Sequence, residues 1–192
     1  MPTTEADGGT HLATERLNLR PVEKRDLPAI VTLAGDSEVA EWTVSIRHPL
    51  TPKQVNEWLA ACKGEGEHAF AVLRKGEAAL IGVVGLTLAE DGARAEIGYW
   101  VGRDYWGNGY ATEAVRRVLL YGFGVLGVTQ VDASVFPGND ASIRVLTNTG
   151  FARARTASRA APARGGDREV DVYTLTRSEF ARVTLSQAVG RE

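Results

Sequence analysis

The chain patterns as an α/β (α+β) domain: a mixed, mostly antiparallel central sheet flanked by helices. Three observations predict it. Strand-like alternation and helical spacing follow one another in the order β, α, α, β, β, β, α, β, α, β, β, and a mixed sheet buries all of their apolar faces. The three middle strands are separated only by the turn residues "KGE" and "EDG", so they meet as antiparallel hairpins. Finally, 192 residues, 44% hydrophobic and 24% charged, suffice for one packed core and are short for two ordinary domains.

Residues 1–13 have no basic start followed by an apolar stretch and read as a flexible tail; the domain spans 14–183, with a C-terminal tail at 184–192. "RLNLRPV" alternates Leu17 and Leu19 with polar neighbours as the first strand, and "EKRDLPAIVTLAGD" then carries apolar residues at helical spacing. "SEVAEWTVSIRHP" is irregular. Thr51 and Pro52 start a second helix over "KQVNEWLAAC", which ends near the glycines of "KGEGEH". "HAFAVLR", "ALIGVVGLTLA" and "ARAEIGYWV" are the three hairpin strands. "YATEAVRRVLLYGFG" places Ala111, Ala114, Val115, Val118 and Leu119 on one helical stripe, and "QVDASVF" is the fifth strand. "NDASIRVLTNTGF" is a short helix capped by Asn139 or Asp140 and stopped by Gly150. "FARAR" and "VDVYTLT" finish the sheet, and the Gly-, Ala- and Arg-rich "TASRAAPARGGDRE" between them reads as a mobile loop.

A formal net charge of -2 gives no global field for nucleic acid or an anionic membrane, so neither is expected as a partner. No apolar run approaches the roughly 18 residues of a membrane span, and a cytoplasmic location is compatible with the single cysteine. Cys62 shares a helical face with Val55, Trp58 and Leu59 and reads as a small core residue. His11, His48 and His68 are isolated, so no metal is assigned. Among larger side chains, Trp42, Trp58, Trp100 and Trp106 suit a core or an acceptor pocket, the core being the commoner place for aromatics.

The stretch "RDYWGNGYATEA" carries the chemistry. A turn from a strand into a helix exposes the helix's first unpaired N–H groups and the positive end of its dipole. Gly107 and Gly109 let that backbone approach a pyrophosphate, with the N–H groups of Asn108, Gly109, Tyr110, Ala111 and Thr112 as donors; the alternative is a strand-to-helix turn with no ligand. "GFGVLG", residues 122–127, also fits a GxGxxG spacing, but it follows a helix and precedes a strand, the reverse of a dinucleotide fingerprint. No nicotinamide or flavin follows from it.

"AEIGYWVGRDYWGNGYATEAVRRVLLYGF", followed by "NDASIRVLTNTGF", resembles the GNAT superfamily of acyl-CoA-dependent N-acyltransferases, in particular its RimJ/RimL ribosomal-protein N-terminal acetyltransferase branch; the likeness runs from "TERLNLRP" to "VYTLT". The resemblance implies a sheet splayed between its fourth and fifth strands, acetyl-CoA in the gap with its pantetheine on the main chain of Trp100 and Val101, and the pyrophosphate on the loop from Gly107 to Thr112. Family members start that loop with Gln or Arg three residues before the first glycine, where this chain has Asp104. The resemblance further implies Glu96 as general base, Asn139 as a pantetheine ligand and Ser142 as the hydroxyl that meets the departing thiolate. Many relatives use a tyrosine for that last task, and none follows at the matching downstream place.

Strand alternation puts Glu96 on one face with Arg94, Gly98 and Trp100, so a structural ion pair with Arg94 is the competing role for its carboxylate. Helix capping is the competing role for Asn139 and Ser142. The expected activity is acetyl transfer from acetyl-CoA to a primary amine by direct attack in a ternary complex. An α-amino group, pKa about 8, is about one-tenth neutral at pH 7, whereas a free lysine near 10.4 is almost wholly charged, which favours a peptide N-terminus. A small-molecule amine is the second acceptor, and a non-catalytic acyl-CoA-binding regulator the rival class. The arginines at 153, 155, 159, 164 and 168 face only Asp167 and Glu169 in sequence; such a run is more often a solvated loop, and the alternative is steering of an acidic acceptor or of the cofactor phosphates. A homodimer is compatible with this reading.

Overall fold

The computed structural model describes residues 3–4 and 9–189. Its strands are β1 (Thr3–Thr4), β2 (Thr10–Ala13), β3 (Leu17–Pro21), β4 (Glu67–Arg74), β5 (Leu80–Leu88), β6 (Arg94–Val101), β7 (Gln130–Val135), β8 (Ala152–Ala161) and β9 (Gly166–Thr176). They form one sheet in the order β1-β2-β3-β4-β5-β6-β7-β9-β8. Only β6 and β7 pair in parallel; the neighbours on either side are antiparallel, as the short turns require. The helices are α1 (Leu27–Ala34), α2 (Ser37–Ala40), α3 (Pro52–Ala61), α4 (Tyr110–Tyr121), α5 (Asp140–Thr149) and α6 (Arg177–Val189).

Alternation along the strands divides the core in two. Ala95 and Ile97 of β6 and Val131, Ala133 and Val135 of β7 face α4, whose Ala114, Val115, Val118 and Leu119 are buried as the helical stripe predicts. The opposite face packs Ala71, Leu73, Leu80 and Val83 against Ile30 and Ala34 of α1 and Val55 and Leu59 of α3. α3 begins with a capping box: the Thr51 hydroxyl accepts from the Gln54 amide, and the Gln54 side chain accepts from the Thr51 N–H at 2.9 Å. α5 is capped by Asn139 and ended by Gly150 at φ 101°, a left-handed conformation that glycine adopts without strain. Cys62 is half-buried after α3, and burial pushes its thiol up to about 11, against the reactivity of a thiolate.

Three expectations need correction. The stretch read as a mobile loop is the body of a hairpin, β8 against β9, with Ala157 opposite Val170 and Arg159 opposite Arg168, turning through Gly165 and Gly166 at positive φ. Its arginines and alanines look like loop composition, but an exposed two-stranded ribbon tolerates them because its main chain supplies the pairing. Within the N-terminal tail, Thr10–Ala13 is a strand whose Leu12 is buried and pairs opposite Leu19. Residues 184–189, placed in the C-terminal tail, continue α6. "GFGVLG" is a single π-helical turn, Gly122–Leu126, leaving α4.

Candidate active site

β6 ends at Val101, one 3-10 turn (Arg103–Tyr105) follows, and α4 begins at Tyr110. Between them Gly107 and Gly109 have φ of 75° and 76°, a region in which an L side chain costs about 1–2 kcal/mol. A Cβ on Gly107 would meet no heavy atom within 4 Å, so the glycine serves the backbone path rather than close packing. α4 has no side-chain cap. From Gly107 to Thr112, no backbone N–H donates to a protein acceptor among the described residues; the first to do so is Glu113, to the Gly109 carbonyl at 3.1 Å. Six successive bare donors at the positive end of a helix have the geometry that suits an anion cradle. The cradle's outer rim is exposed, with Asp104 pointing to solvent.

The neighbouring gap comes from the sheet itself. Parallel pairing of β6 with β7 covers Arg94, Ala95 and Glu96 against Gln130, Val131 and Asp132, and then stops. Beyond Glu96 the two strands diverge, as the expected splay requires. The Gly102 N–H donates to the Ile81 carbonyl and the Thr129 N–H to the Ala93 carbonyl, so even-numbered residues of β6 turn their main chain to β5 and odd-numbered ones toward β7. The open edge is therefore lined by the main chain of Tyr99 and Val101. Trp100 faces β5 with its amide and carbonyl, which corrects its expected place; its indole packs on the α1 and α3 side. The Val101 carbonyl already accepts from Trp106 Nε1 at 2.6 Å, which leaves the Val101 N–H and both Tyr99 groups facing the gap.

On one side of the gap stands Glu96. Both of its oxygens accept from the Arg159 guanidinium, the Nη2 contact at 2.6 Å, and Arg159 Nη1 also donates to Ser134 Oγ at 2.6 Å. The sequence expectation of an Arg94 partner is wrong: Arg94 pairs with Asp91 at 2.9 Å, across its own turn. Glu96 and Arg159 are each about one-third exposed, 36% and 37%, so the pair opens to the gap. Strand alternation brings Glu96, Asp132 and Ser134 to a single face, and the β8–β9 hairpin folds Arg159 over it.

On the other side stand Ser142 and Asn139. The Asn139 side-chain oxygen accepts from the Ser142 N–H at 3.1 Å, so the capping role is real, while its amide nitrogen has no partner among the described residues. Ser142 Oγ lies 2.8 Å from the Tyr99 hydroxyl, which also reaches the Ser142 carbonyl at 3.2 Å. Burial lifts the Tyr99 phenol far above its ordinary range, against a lowering by the Ser142 hydrogen bond, so it keeps its proton. Sequence reasoning searched for a tyrosine downstream of Ser142 and missed this one upstream on β6; the alternation that places Ile97 and Tyr99 on the α5 face was the available signal.

A cavity of about 220 Å³ opens beside the hairpin, lined by Glu41, Trp42, Phe136, Arg164 and Arg168. Arg164 builds its wall by donating to the Ala40 carbonyl and, at 2.9 Å, to the Ile46 carbonyl, tying the hairpin tip to the segment after α2. Arg153 is held by Asp171 at 2.5 Å. Arg159 and Arg164 are thus half-buried in contacts, whereas Arg153, Arg155 and Arg168 are exposed.

Residues 16–152 match the family model described as an acetyltransferase (GNAT) domain. The chain belongs to the GNAT acetyltransferase family. It is 31% identical over 175 residues, 88% of this chain and 98% of the relative, to a Bacillus licheniformis protein named uncharacterized N-acetyltransferase p20. Among solved structures it superposes on Mycobacterium smegmatis RimJ in complex with CoA-disulfide (TM-score 0.77, 21% identity, 94% of each chain). It also superposes on a spermidine N-acetyltransferase from Vibrio cholerae in complex with CoA and spermine (TM-score 0.75, 20% identity, 88% of this chain and 99% of that one). At those identities the two superpositions carry the fold. GNAT acetyltransferases use acetyl-CoA, and the residues here fit it: bare amides for a diphosphate, and an open strand edge for an extended amide-bearing arm. Among the described residues no cluster of three or more His, Cys, Asp or Glu could hold a metal, and no helix is long and apolar enough to cross a membrane.

Proposed function

We propose that this GNAT enzyme acetylates a protein N-terminal α-amine, taking the acetyl group directly from acetyl-CoA while both substrates are bound. The observation that carries the reading is the parting of β6 from β7 just after Glu96, which leaves a carboxylate on one side of the gap and a hydroxyl pair on the other. Acyl transfer needs one proton removed from the amine and the thiolate stabilised as it leaves, two tasks that a carboxylate and a hydroxyl pair on opposite sides of the gap suit. The pantetheine arm lies along Tyr99 and Val101 with Asn139 Nδ2 as a further donor, and the diphosphate sits on the amides from Gly107 to Thr112. The amine attacks the thioester carbon, and the oxyanion faces the Val101 N–H. As the C–S bond breaks, the Ser142 hydroxyl donates a hydrogen bond to the departing thiolate while the protonated Tyr99 phenol holds Ser142 in place, and the thiolate takes its proton from solvent. Glu96 takes the ammonium proton through water, held in place by Arg159.

The acceptor follows from charge. The cavity beside Glu96's hairpin partner presents Arg164 and Arg168 against Glu41, an inhospitable mouth for a polyamine with several ammonium groups. A peptide brings a single amine at its end, so it meets less opposition from these guanidinium groups than a chain of ammonium groups does.

The ion pair with Arg159 favours a second role for Glu96, as a sheet carboxylate that fixes the hairpin. Steady-state kinetics of Glu96→Gln with a peptide acceptor separates the two. A base predicts a fall in kcat of about 100-fold with little change in melting temperature. Wild-type turnover with a lowered melting temperature would assign Glu96 to structure alone.

A further inference from the structure

The segment "TERL" lies far in sequence from the glycine loop, yet three of its groups end on one carboxylate there. Glu113, in the first turn of α4, accepts from the Thr14 hydroxyl, the Arg16 N–H at 2.9 Å and Arg16 Nε at 2.7 Å. The same guanidinium donates through Nη1 to the Asn108 carbonyl at 3.0 Å and lies over the Tyr110 ring at 4.9 Å. It therefore spans the loop from Asn108 to Glu113 and passes directly behind Gly109, whose added Cβ would stand 3.5 Å from Arg16 Nη2. Asn108 Nδ2 braces the near side by donating to the Tyr105 and Trp106 carbonyls.

A carboxylate in the first turn of a helix is favourable when the helix end is otherwise empty and unfavourable when a diphosphate takes that end. Glu113 is 18% exposed, so water screens it poorly. Other basic groups nearby are engaged: Arg103 by Asp36 at 3.2 Å and Glu38 at 3.0 Å, Arg74 by Glu77 at 2.5 Å. The position before the glycines where relatives carry Gln or Arg holds an acidic residue, Asp104. Arg74 lies over the Tyr105 ring at 5.5 Å, while Arg16 hydrogen-bonds the loop's main chain at Asn108.

We propose that Arg16 is a positioning residue for the acyl donor: it cancels the charge of Glu113 beside the bound diphosphate and fixes the loop with its amides facing outward before the donor arrives. The inference rests on reading this loop as the diphosphate cradle. Pointing the Asn108 carbonyl back toward Arg16 keeps that oxygen, which would repel phosphate, out of the cradle.

Calorimetric titration with CoA, together with steady-state rates on acetyl-CoA and on S-acetylpantetheine, which lacks the diphosphate, tests it. Arg16→Gln is expected to raise the Kd for CoA and the KM for acetyl-CoA about tenfold, the loss of one charge-assisted contact, with S-acetylpantetheine turnover unchanged. Adding Glu113→Gln to that variant is expected to recover most of the affinity, because the uncompensated carboxylate is gone. An Arg16→Gln protein that binds CoA within twofold of wild type overturns the proposal, as does equal loss on both donors or a double variant weaker than the single. Should Arg16→Gln not fold, Arg16→Lys carries the test: about threefold weaker binding is expected, and unchanged binding overturns it. Wild-type protein that gives no heat with CoA removes the cradle reading itself, and this proposal with it.

Discussion

Ser142 and Tyr99 act in series, and that makes their separate contributions measurable. A coenzyme A thiol of ordinary pKa, about 8.5, is a fair leaving group near neutrality, so a hydrogen bond to it as it departs contributes at the low end of what general acids supply. Ser142→Ala is expected to lower kcat about tenfold at pH 7 with both substrates saturating. Tyr99→Phe keeps the Ser142 hydroxyl but removes its phenol partner at 2.8 Å, and a loss of about threefold is expected. Because Tyr99 acts through Ser142, the double variant is expected to be no slower than Ser142→Ala, a non-additivity that a thermodynamic cycle reads directly.

At the scale of elements, the junction of β3 with α1 rests on a buried ion pair. Arg20 Nη1 and Nη2 meet the two Asp26 oxygens at 2.8 and 2.7 Å, and Asp26, 5% exposed, also accepts from the Glu23 N–H at 2.8 Å. Removing Asp26 leaves the Glu23 amide and Arg20 Nη2 without their acceptor in a largely buried site, while Nη1 keeps the Pro21 carbonyl at 3.0 Å. Asp26→Ala is therefore expected to cost about 3 kcal/mol in urea unfolding, while a surface pair such as Lys53–Glu57 at 3.9 Å contributes less than about 1 kcal/mol. The Arg20–Asp26 pair joins residues six apart and is invisible to periodicity, which shows where sequence reasoning succeeds and where it stops. The stripe of α4, the Asn139 cap, the Gly150 stop and the Gly107–Gly109 turn were legible because each is a local pattern whose meaning does not depend on what lies across the fold. Glu96 was legible as a group on the reacting face, but its partner was not: Arg159 arrives from a hairpin 63 residues later, built from residues that individually favour loops. α6 escaped notice for a related reason. Phe180 is buried while Leu185 is 67% exposed, so the helix has no continuous apolar face for spacing to reveal. Tyr99 is hidden from sequence because it reaches Ser142 across the fold, from β6 to the first turn of α5.

Across the whole molecule, charge and burial set two separate acid limits on stability. His68, on β4, packs edge-on against Tyr121 of α4 with ring centroids 5.6 Å apart and its Nδ1 3.3 Å from the phenol oxygen, joining the sheet to the helix that carries the cradle. Burial pushes its pKa below the ordinary value near 6.5, only partly opposed by Glu67. A histidine whose folded pKa is depressed binds its proton more readily in the unfolded chain, so its contribution is complete above about pH 6.5 and is lost as pH falls from there through the folded value. The carboxylates work in a lower window. Burial raises Glu113, but its hydrogen bonds from Thr14 and Arg16 and the Arg16 charge outweigh that. Asp91 and Asp171 are held down first by hydrogen bonds from Arg94 and Arg153, and Glu179 by one from Thr176. Their stabilisation is present above their unfolded values near 4 and disappears only below them. Thermal unfolding followed from pH 8 to pH 3 should therefore show a first decline beginning near pH 6.5 and a second beginning near pH 4.5. His68→Gln, close in size and unable to titrate, is expected to flatten the first decline and leave the second. Arg16→Gln is expected to do the reverse, weakening the lower step by releasing Glu113. If the first decline persists in His68→Gln, the proton is being taken up elsewhere, and the contact between β4 and α4 is not the element that acid loosens first.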